Sequence, residues 1–230
     1  MNESGIWPVF IHTPYLLNLA SPRDVVYVKS LKVLKDELHR ASKLGVPYIV
    51  THLGSHLGYG KMEGFKRIVR AVNHSLSSVE NDGILLLENT AGTKNSMGSA
   101  FEDIAHILNK IEIKERIGVC FDTSHAFAAG YDLVSQGAVQ QTLQRFEEIV
   151  GFEKLKLVHL NDSKGALGSK VDRHEHIGMG MIGEQGFRNI LQSRLGQLPL
   201  ILETPIDERR NDLENLERVR ELTTYPPFKE

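Results

Sequence analysis

IGVCFDTSH, residues 117–125, is an apolar run that closes on a carboxylate. Its first five residues carry no charge, the composition of a strand covered on both faces in a parallel sheet. Asp122 ends the run and His125 follows three residues later. The same form recurs in both directions along the chain. VPYIVTH (46–52) ends on His52, GILLLE (83–88) on Glu88, KLKLVH (154–159) on His159 and LPLILE (198–203) on Glu203. The earliest example, within IWPVFIH (6–12), ends on His12.

Amphipathic stretches separate these runs. Over 22–44, Ser21 is placed to cap, Pro22 suits the first helical position and Gly45 follows the end. Val26, Leu31, Leu34, Leu38 and Leu44 fall roughly along one face. Further helices are expected over 62–80, 99–111, 136–150, 184–195 and 209–223. The order is βα six times, which implies a parallel sheet with right-handed crossovers. A doubly wound sheet satisfies that order but gathers its site at one crevice. A barrel sets functional groups at the C-terminal ends of successive strands. Six strands ending in metal-capable side chains therefore predict an α/β TIM (β/α) barrel, with 1–230 as a single domain.

At 230 residues, 41% hydrophobic and 24% charged, the chain is long enough for one sizeable core. No run approaches the roughly 18 apolar residues of a membrane span. The start MNESGIWPVFIH has neither a basic segment nor a long apolar one, so no signal peptide is expected. Cys120 is the single cysteine, which excludes an internal disulfide and fits a reducing, cytoplasmic setting. A net charge of −2 argues against a generic basic nucleic-acid surface.

The loops extend the set of strand-end groups. In VDRHEH, Asp172 and His174 share a side of an extended segment. Five histidines and four carboxylates result: His12, His52, Glu88, Asp122, His125, His159, Asp172, His174 and Glu203. Imidazole and carboxylate ligands suit zinc or manganese. Nine ligands exceed the needs of one tetrahedral ion, so two or three ions are expected, and ions about 3.5–4 Å apart are machinery for in-line attack on a phosphodiester. One such residue at a strand end would be an ordinary satisfied loop residue; six in succession favour metal. His39, His74 and His106 fall within expected helices as solvated or packing residues, and Cys120 reads as a small core residue. His56 reads as loop packing and His176 as a supporting partner. GYGKMEG (58–64) matches neither the Walker nor the Rossmann spacing.

The stretches THLGSH, LLENTAG, GVCFDTSHAFAAGYD, HLNDSKGALGSKVDRHEHIGMGMIG and LILET resemble the endonuclease IV family of apurinic/apyrimidinic endonucleases (AP endonuclease family 2) from about residue 9 to 206. The resemblance implies a TIM barrel with three zinc ions, one site tolerating manganese, that cleaves double-stranded DNA 5′ to an abasic site in base excision repair. It implies that His12, His52 and Glu88 hold one ion. Glu88 bridges to a second, shared with Asp122, His159 and Glu203, and His125, Asp172 and His174 hold the third. A bridging hydroxide is then the nucleophile, oriented by Glu88 or Glu203. Tyr15 and Leu16 match the family loop that intrudes beside the abasic site. Lys164, Lys170 and Arg173 lie in loops that can contact the backbone. Three divalent ions would also reverse the sign of the net charge.

This sequence departs from the family pattern in places. Ser124 stands where the family often has cysteine, Thr93-Lys94 where it has Gln-Gly, and Met179 where a polar residue is common. The resemblance also implies two further βα units before the strand ending in His12. The expectation is thus an incomplete, N-terminally truncated barrel of six βα units corresponding to strands 3–8. The family implies a monomer, with association possible through exposed sheet edges. Two other readings compete: a metal-dependent sugar isomerase or epimerase of similar barrel form, and an inactive metal-binding remnant. Isomerases hold one or two ions, so the set His125, Asp172 and His174 favours the nuclease.

Overall fold

The computed structural model describes residues 5–79 and 82–224. It divides into two compact units, Met1–Asn89 with Lys94–Cys120 and Thr90–Thr93 with Phe121–Glu230. No helix among the described residues is long and apolar enough to cross a membrane.

The first unit is a parallel sheet with helices between its strands. β1 (Phe10–His12) pairs with β2 (Tyr48–Thr51), His12 opposite Val50. β2 pairs with β3 (Ile84–Glu88), Thr51 opposite Leu87. β3 pairs with the start of β4 (Ile117–Asp122), Glu88 opposite Cys120. β1 stands at the edge of this sheet. Leu85, Leu86, Leu87 and Val119 are all buried. Burial without alternation is what covering on both faces produces.

α1 (Asp24–Leu44) starts two residues later than its sequence suggests. Ser21 does not cap it, because its Oγ accepts from Arg23 N at 3.2 Å, before the helix begins. The other end forms as expected: Gly45, at φ 66°, donates to Ser42 O and Val46 to Ala41 O, a Schellman closure. The buried stripe runs through Tyr27, Ser30, Leu34, Leu38 and Ala41. Leu44 is off that stripe and 60% exposed, against expectation. α2 (Lys61–Ser77) and α3 (Phe101–Lys110) are shorter than anticipated, and residue 80, assigned to the former, lies outside the described residues. Buried Arg116 donates to the carbonyls of Leu76, Val79 and Gly83 at 2.8, 2.8 and 3.1 Å. It thereby donates to buried acceptors at and beyond the end of α2.

In the second unit, β5 (Leu155–His159) pairs in parallel with β8 (Leu200–Ile201), His159 opposite Ile201. α4 (Thr123–Ala129) was not expected from the sequence; it begins directly on β4, capped by Asp122, whose Oδ1 accepts from His125 N at 2.7 Å. α5 (Gln136–Ile149) is capped by Ser135. A two-residue ribbon, β6 (Asp162–Ser163) against β7 (His174–Glu175), pairs antiparallel after β5. α6 (Gly183–Leu191) stops short of the anticipated 195 and gives way to a 3₁₀ turn over Arg194–Gln197, capped by Ser193. α7 (Asp212–Thr224) starts late because Asn211 and Glu214 form a reciprocal capping box, Glu214 N to Asn211 Oδ1 at 3.0 Å and Asn211 N to Glu214 Oε2 at 2.7 Å.

Candidate metal centre

In the first unit, three strand ends meet. Glu88 is fully buried, and its Oε2 lies 3.0 Å from His12 Nε2 and 3.1 Å from His52 Nε2. The two imidazole rings are 5.2 Å apart. His12 Nδ1 stands 2.6 Å from the carbonyl of Thr13. A carbonyl only accepts, so Nδ1 carries the proton and a neutral ring turns a bare lone pair toward the Glu88 carboxylate. A bound cation between them, or a second proton on the ring, satisfies two acceptors at that distance. Thr13 N donates to Val50 O and Thr13 Oγ1 to Thr51 Oγ1, which locks the ends of β1 and β2 together.

In the second unit, Asp122, His125 and His174 offer ligand atoms that all lie within 4.8 Å of one another. Asp122 is fully buried and spans two donors, His125 N on Oδ1 and Asn161 Nδ2 on Oδ2, both at 2.7 Å. His174 repeats the pattern of His12. Its Nδ1 donates to the carbonyl of Glu203 at 3.0 Å. Its Nε2 is buried, has no hydrogen-bond partner among the described residues and faces Asp122 Oδ2 at 3.7 Å. A buried lone pair facing a carboxylate fits a bound cation better than it fits any neutral arrangement. Asp172 joins this cluster through His125 Nε2 at 3.1 Å, and His159 Nδ1 meets Glu203 Oε2 at 3.2 Å. All nine sequence-predicted ligands thus lie in such clusters within one unit or the other. Their donor sets, imidazole and carboxylate, fit zinc or manganese.

Asn161 was missed by the sequence reading, although HLNDS places it two residues after His159. Its amide donates to Asp122 and, at 3.3 Å, to Glu203 Oε2, while its Oδ1 accepts from Glu203 N at 2.8 Å. It orients two of the predicted ligands at once. Asp162 beside it is no ligand. Its carboxylate accepts from the backbone of Ser163, Gly180, Ile182 and Gly183. Burial pushes its carboxyl up, and those backbone N–H groups pull it part of the way back. Gly180 can come this near only without a side chain, since a Cβ would stand 2.5 Å from Asp162 Oδ1.

His176 is buried and occupied at both nitrogens, by Asn215 Nδ2 and Asp207 Oδ1, each at 3.0 Å. It supports the loop, and neither ring partner is a predicted ligand. His56 accepts from Gly60 N through Nδ1 at 3.2 Å and packs its own loop. His39 is exposed on α1, His74 is exposed on α2, and His106 lies against Phe65.

Tyr15 and Leu16 are 82% and 74% exposed. Their loop is nonetheless fixed. Asn18 Oδ1 accepts from Ser55 N at 2.9 Å and from Ala20 N at 3.2 Å, and Asn18 N donates to Ser30 Oγ at 2.9 Å. Gly54, at φ 84°, makes room for it, since a Cβ there would meet Asn18 Oδ1 at 2.3 Å. Lys164, Lys170 and Arg173 are exposed on one loop, closed by Lys164 N to Arg173 O at 2.9 Å. Thr93, one of the departures from the family pattern, donates to Lys170 O at 3.0 Å and helps hold Lys170 at φ 58°.

Known proteins are similar to this chain over most of its length. AP endonuclease family 2, described as a xylose isomerase-like TIM barrel, matches residues 1–223. A "Probable endonuclease 4" of Methanoculleus marisnigri is 52% identical over 224 residues, covering 96% of this chain and 79% of that protein. Among solved structures, endonuclease IV of Thermus thermophilus superposes with a TM-score of 0.80 at 37% identity, over 96% of this chain and 76% of that one. A D-tagatose 3-epimerase-like protein is similar in fold alone, with a TM-score of 0.71 at 20% identity over 93% of this chain and 74% of that one. The fold is a TIM barrel.

Proposed function

The chain belongs to AP endonuclease family 2, the xylose isomerase-like TIM barrels, and on that premise we propose that it is a zinc-dependent endonuclease of base excision repair. Its reaction is hydrolysis of the phosphodiester 5′ to an abasic site in double-stranded DNA, leaving a 3′-hydroxyl. The observation that carries this reading is the placement of His12 Nε2 against the Glu88 carboxylate and of His174 Nε2 against that of Asp122. Three ions are assigned: one to His12, His52 and Glu88, one to Asp122, His159 and Glu203, and one to His125, Asp172 and His174. Bound divalent ions supply Lewis acidity toward phosphate oxygens and make water a competent nucleophile near neutral pH.

The residues divide the remaining work. Glu88 is sealed from solvent, whereas the Glu203 side chain is 37% exposed. Glu203 is therefore the carboxylate that can accept a hydrogen bond from an attacking water and aim its lone pair at phosphorus. Asn161 and His159 hold Glu203 in place for that task. Tyr15 and Leu16 enter the duplex beside the missing base and replace lost stacking. Lys164, Lys170 and Arg173 contact the backbone without reading sequence. The fourfold set of Asp122, His125, Asp172 and His174 supports the nuclease over a one- or two-ion isomerase.

The test is incision of a duplex carrying one abasic site, with and without a chelator. Chelator-sensitive cleavage on the 5′ side with a 3′-hydroxyl end is expected. A chain that binds one ion and leaves such a duplex intact would contradict the proposal.

A further inference from the structure

We infer that Arg209 is a positioning residue for the ligands His174 and Glu203, an inference that rests on the metal reading above. Glu175 follows His174 in the chain and is buried. Arg209 grips it with two bonds, Nη1 to Oε2 at 3.0 Å and Nη2 to Oε1 at 2.8 Å. The same guanidinium holds Asp207, Nη2 to Oδ2 at 2.7 Å and Nε to Oδ1 at 3.2 Å. His176 completes the ring, with Nε2 on Asp207 Oδ1 and its backbone N on Glu175 Oε1 at 2.8 Å. Arg210, the next residue, donates to Ile177 O at 2.8 Å.

These bonds fasten residues 174–177 to residues 203–210, the segment that begins with Glu203. The His174 ring spans the same gap with its own bond to the Glu203 carbonyl. That bond keeps the far nitrogen of His174 turned toward Asp122. Without Arg209, the Glu175 and Asp207 carboxylates would keep His176 as the donor between them and would repel each other. The Lys164 ammonium, 4.0 Å from Glu175 Oε2, is a weaker substitute. A planar guanidinium serves two carboxylates at once, which an ammonium does less well. Arg209 touches no ligand, so its influence on metal runs through the placement of His174 and Glu203.

The experiment loads wild type, Arg209→Ala and Arg209→Lys with Co2+ alone. It reads the ions bound per chain, the visible absorption of the bound cobalt and the rate of withdrawal by a chelator, with far-ultraviolet circular dichroism as the check on folding. The expected result is that Arg209→Ala keeps its fold but loses part of the wild-type complement, or releases it about 10-fold faster. The cobalt spectrum should change, and Arg209→Lys should recover part of the loss. Wild-type complement, spectrum and release rate in Arg209→Ala would overturn the inference. If Arg209→Ala does not fold, Arg209→Lys decides: faster release supports the inference, and wild-type release overturns it. Wild-type protein that takes up no Co2+ would instead overturn the metal reading beneath it.

Discussion

Asn161 Nδ2 donates to Asp122 Oδ2 at 2.7 Å, and neither residue is exposed to solvent. A buried carboxylate deprived of one of its donors costs about 1–3 kcal/mol. Asn161→Leu should therefore lower the stability of the metal-free protein by that amount in urea denaturation. It should also weaken metal retention about 10-fold, because Asp122 and Glu203 both lose their orienting amide. Asn161→Asp should do worse, since it sets a third carboxylate against two. Chelator competition that cannot tell Asn161→Leu from wild type would remove Asn161 from the site.

Arg116 provides a contrast, because its three carbonyl partners, Leu76, Val79 and Gly83, belong to none of the predicted ligands. Arg116→Met keeps the apolar stem and removes the buried donor to those three carbonyls. A loss of about 3 kcal/mol is expected in chemical denaturation. Activity per folded molecule should stay at the wild-type level; a specific loss of turnover would mean that α2 matters to the chemistry.

Asp162 sets a pH dependence. Burial raises its carboxyl above the ordinary value of 3.8 despite four backbone donors. A raised acid favours the protonated native form, so its contribution to stability is full below pH 3.8 and is lost as pH rises through the native value. Asp162→Asn cannot titrate and should lack that slope. It should also be less stable throughout, because an amide NH2 would face backbone N–H groups. Stability curves across this range that run parallel in the two proteins would contradict the assignment.

Tyr15 and Leu16 make a prediction about binding alone. Both are exposed, so Tyr15→Ala and Leu16→Ala should change stability by no more than about 0.5 kcal/mol. Stacking against a base is worth about 1–3 kcal/mol, so Tyr15→Ala should weaken binding to an abasic duplex by about 5- to 150-fold. Equal loss on an intact duplex would point to a backbone contact instead of a wedge.

The strand ends were legible in the sequence because buried parallel strands leave uninterrupted apolar runs, and the polar residue that stops each run is visible by itself. His12, His52, Glu88, Asp122, His159 and Glu203 were found in this way. α4 was not, because Asp122 was read only as a ligand, while its backbone-facing oxygen also caps a helix. The late start of α1 turned on where the Ser21 hydroxyl spends its bond, which residue type does not reveal. Leu44 fitted the periodicity but lies where the helix leaves its buried stripe. Asn161 and Arg209 act through side-chain contacts with residues 39 and 34 positions away, and no local pattern announces such pairs.

The fit of Asn18 into the space above Gly54 has a thermodynamic side. The loop bearing Tyr15 and Leu16 loses its backbone freedom when the protein folds, through bonds to Ser55 and Ser30 that involve no DNA. On the proposed role, a duplex arriving later would have only two side chains left to settle, and binding would be spared the ordering cost that a slack loop imposes. The determinant of that readiness sits in the neighbouring loop. Any side chain at position 54 would displace Asn18 and leave both exposed residues attached to a loosened tether.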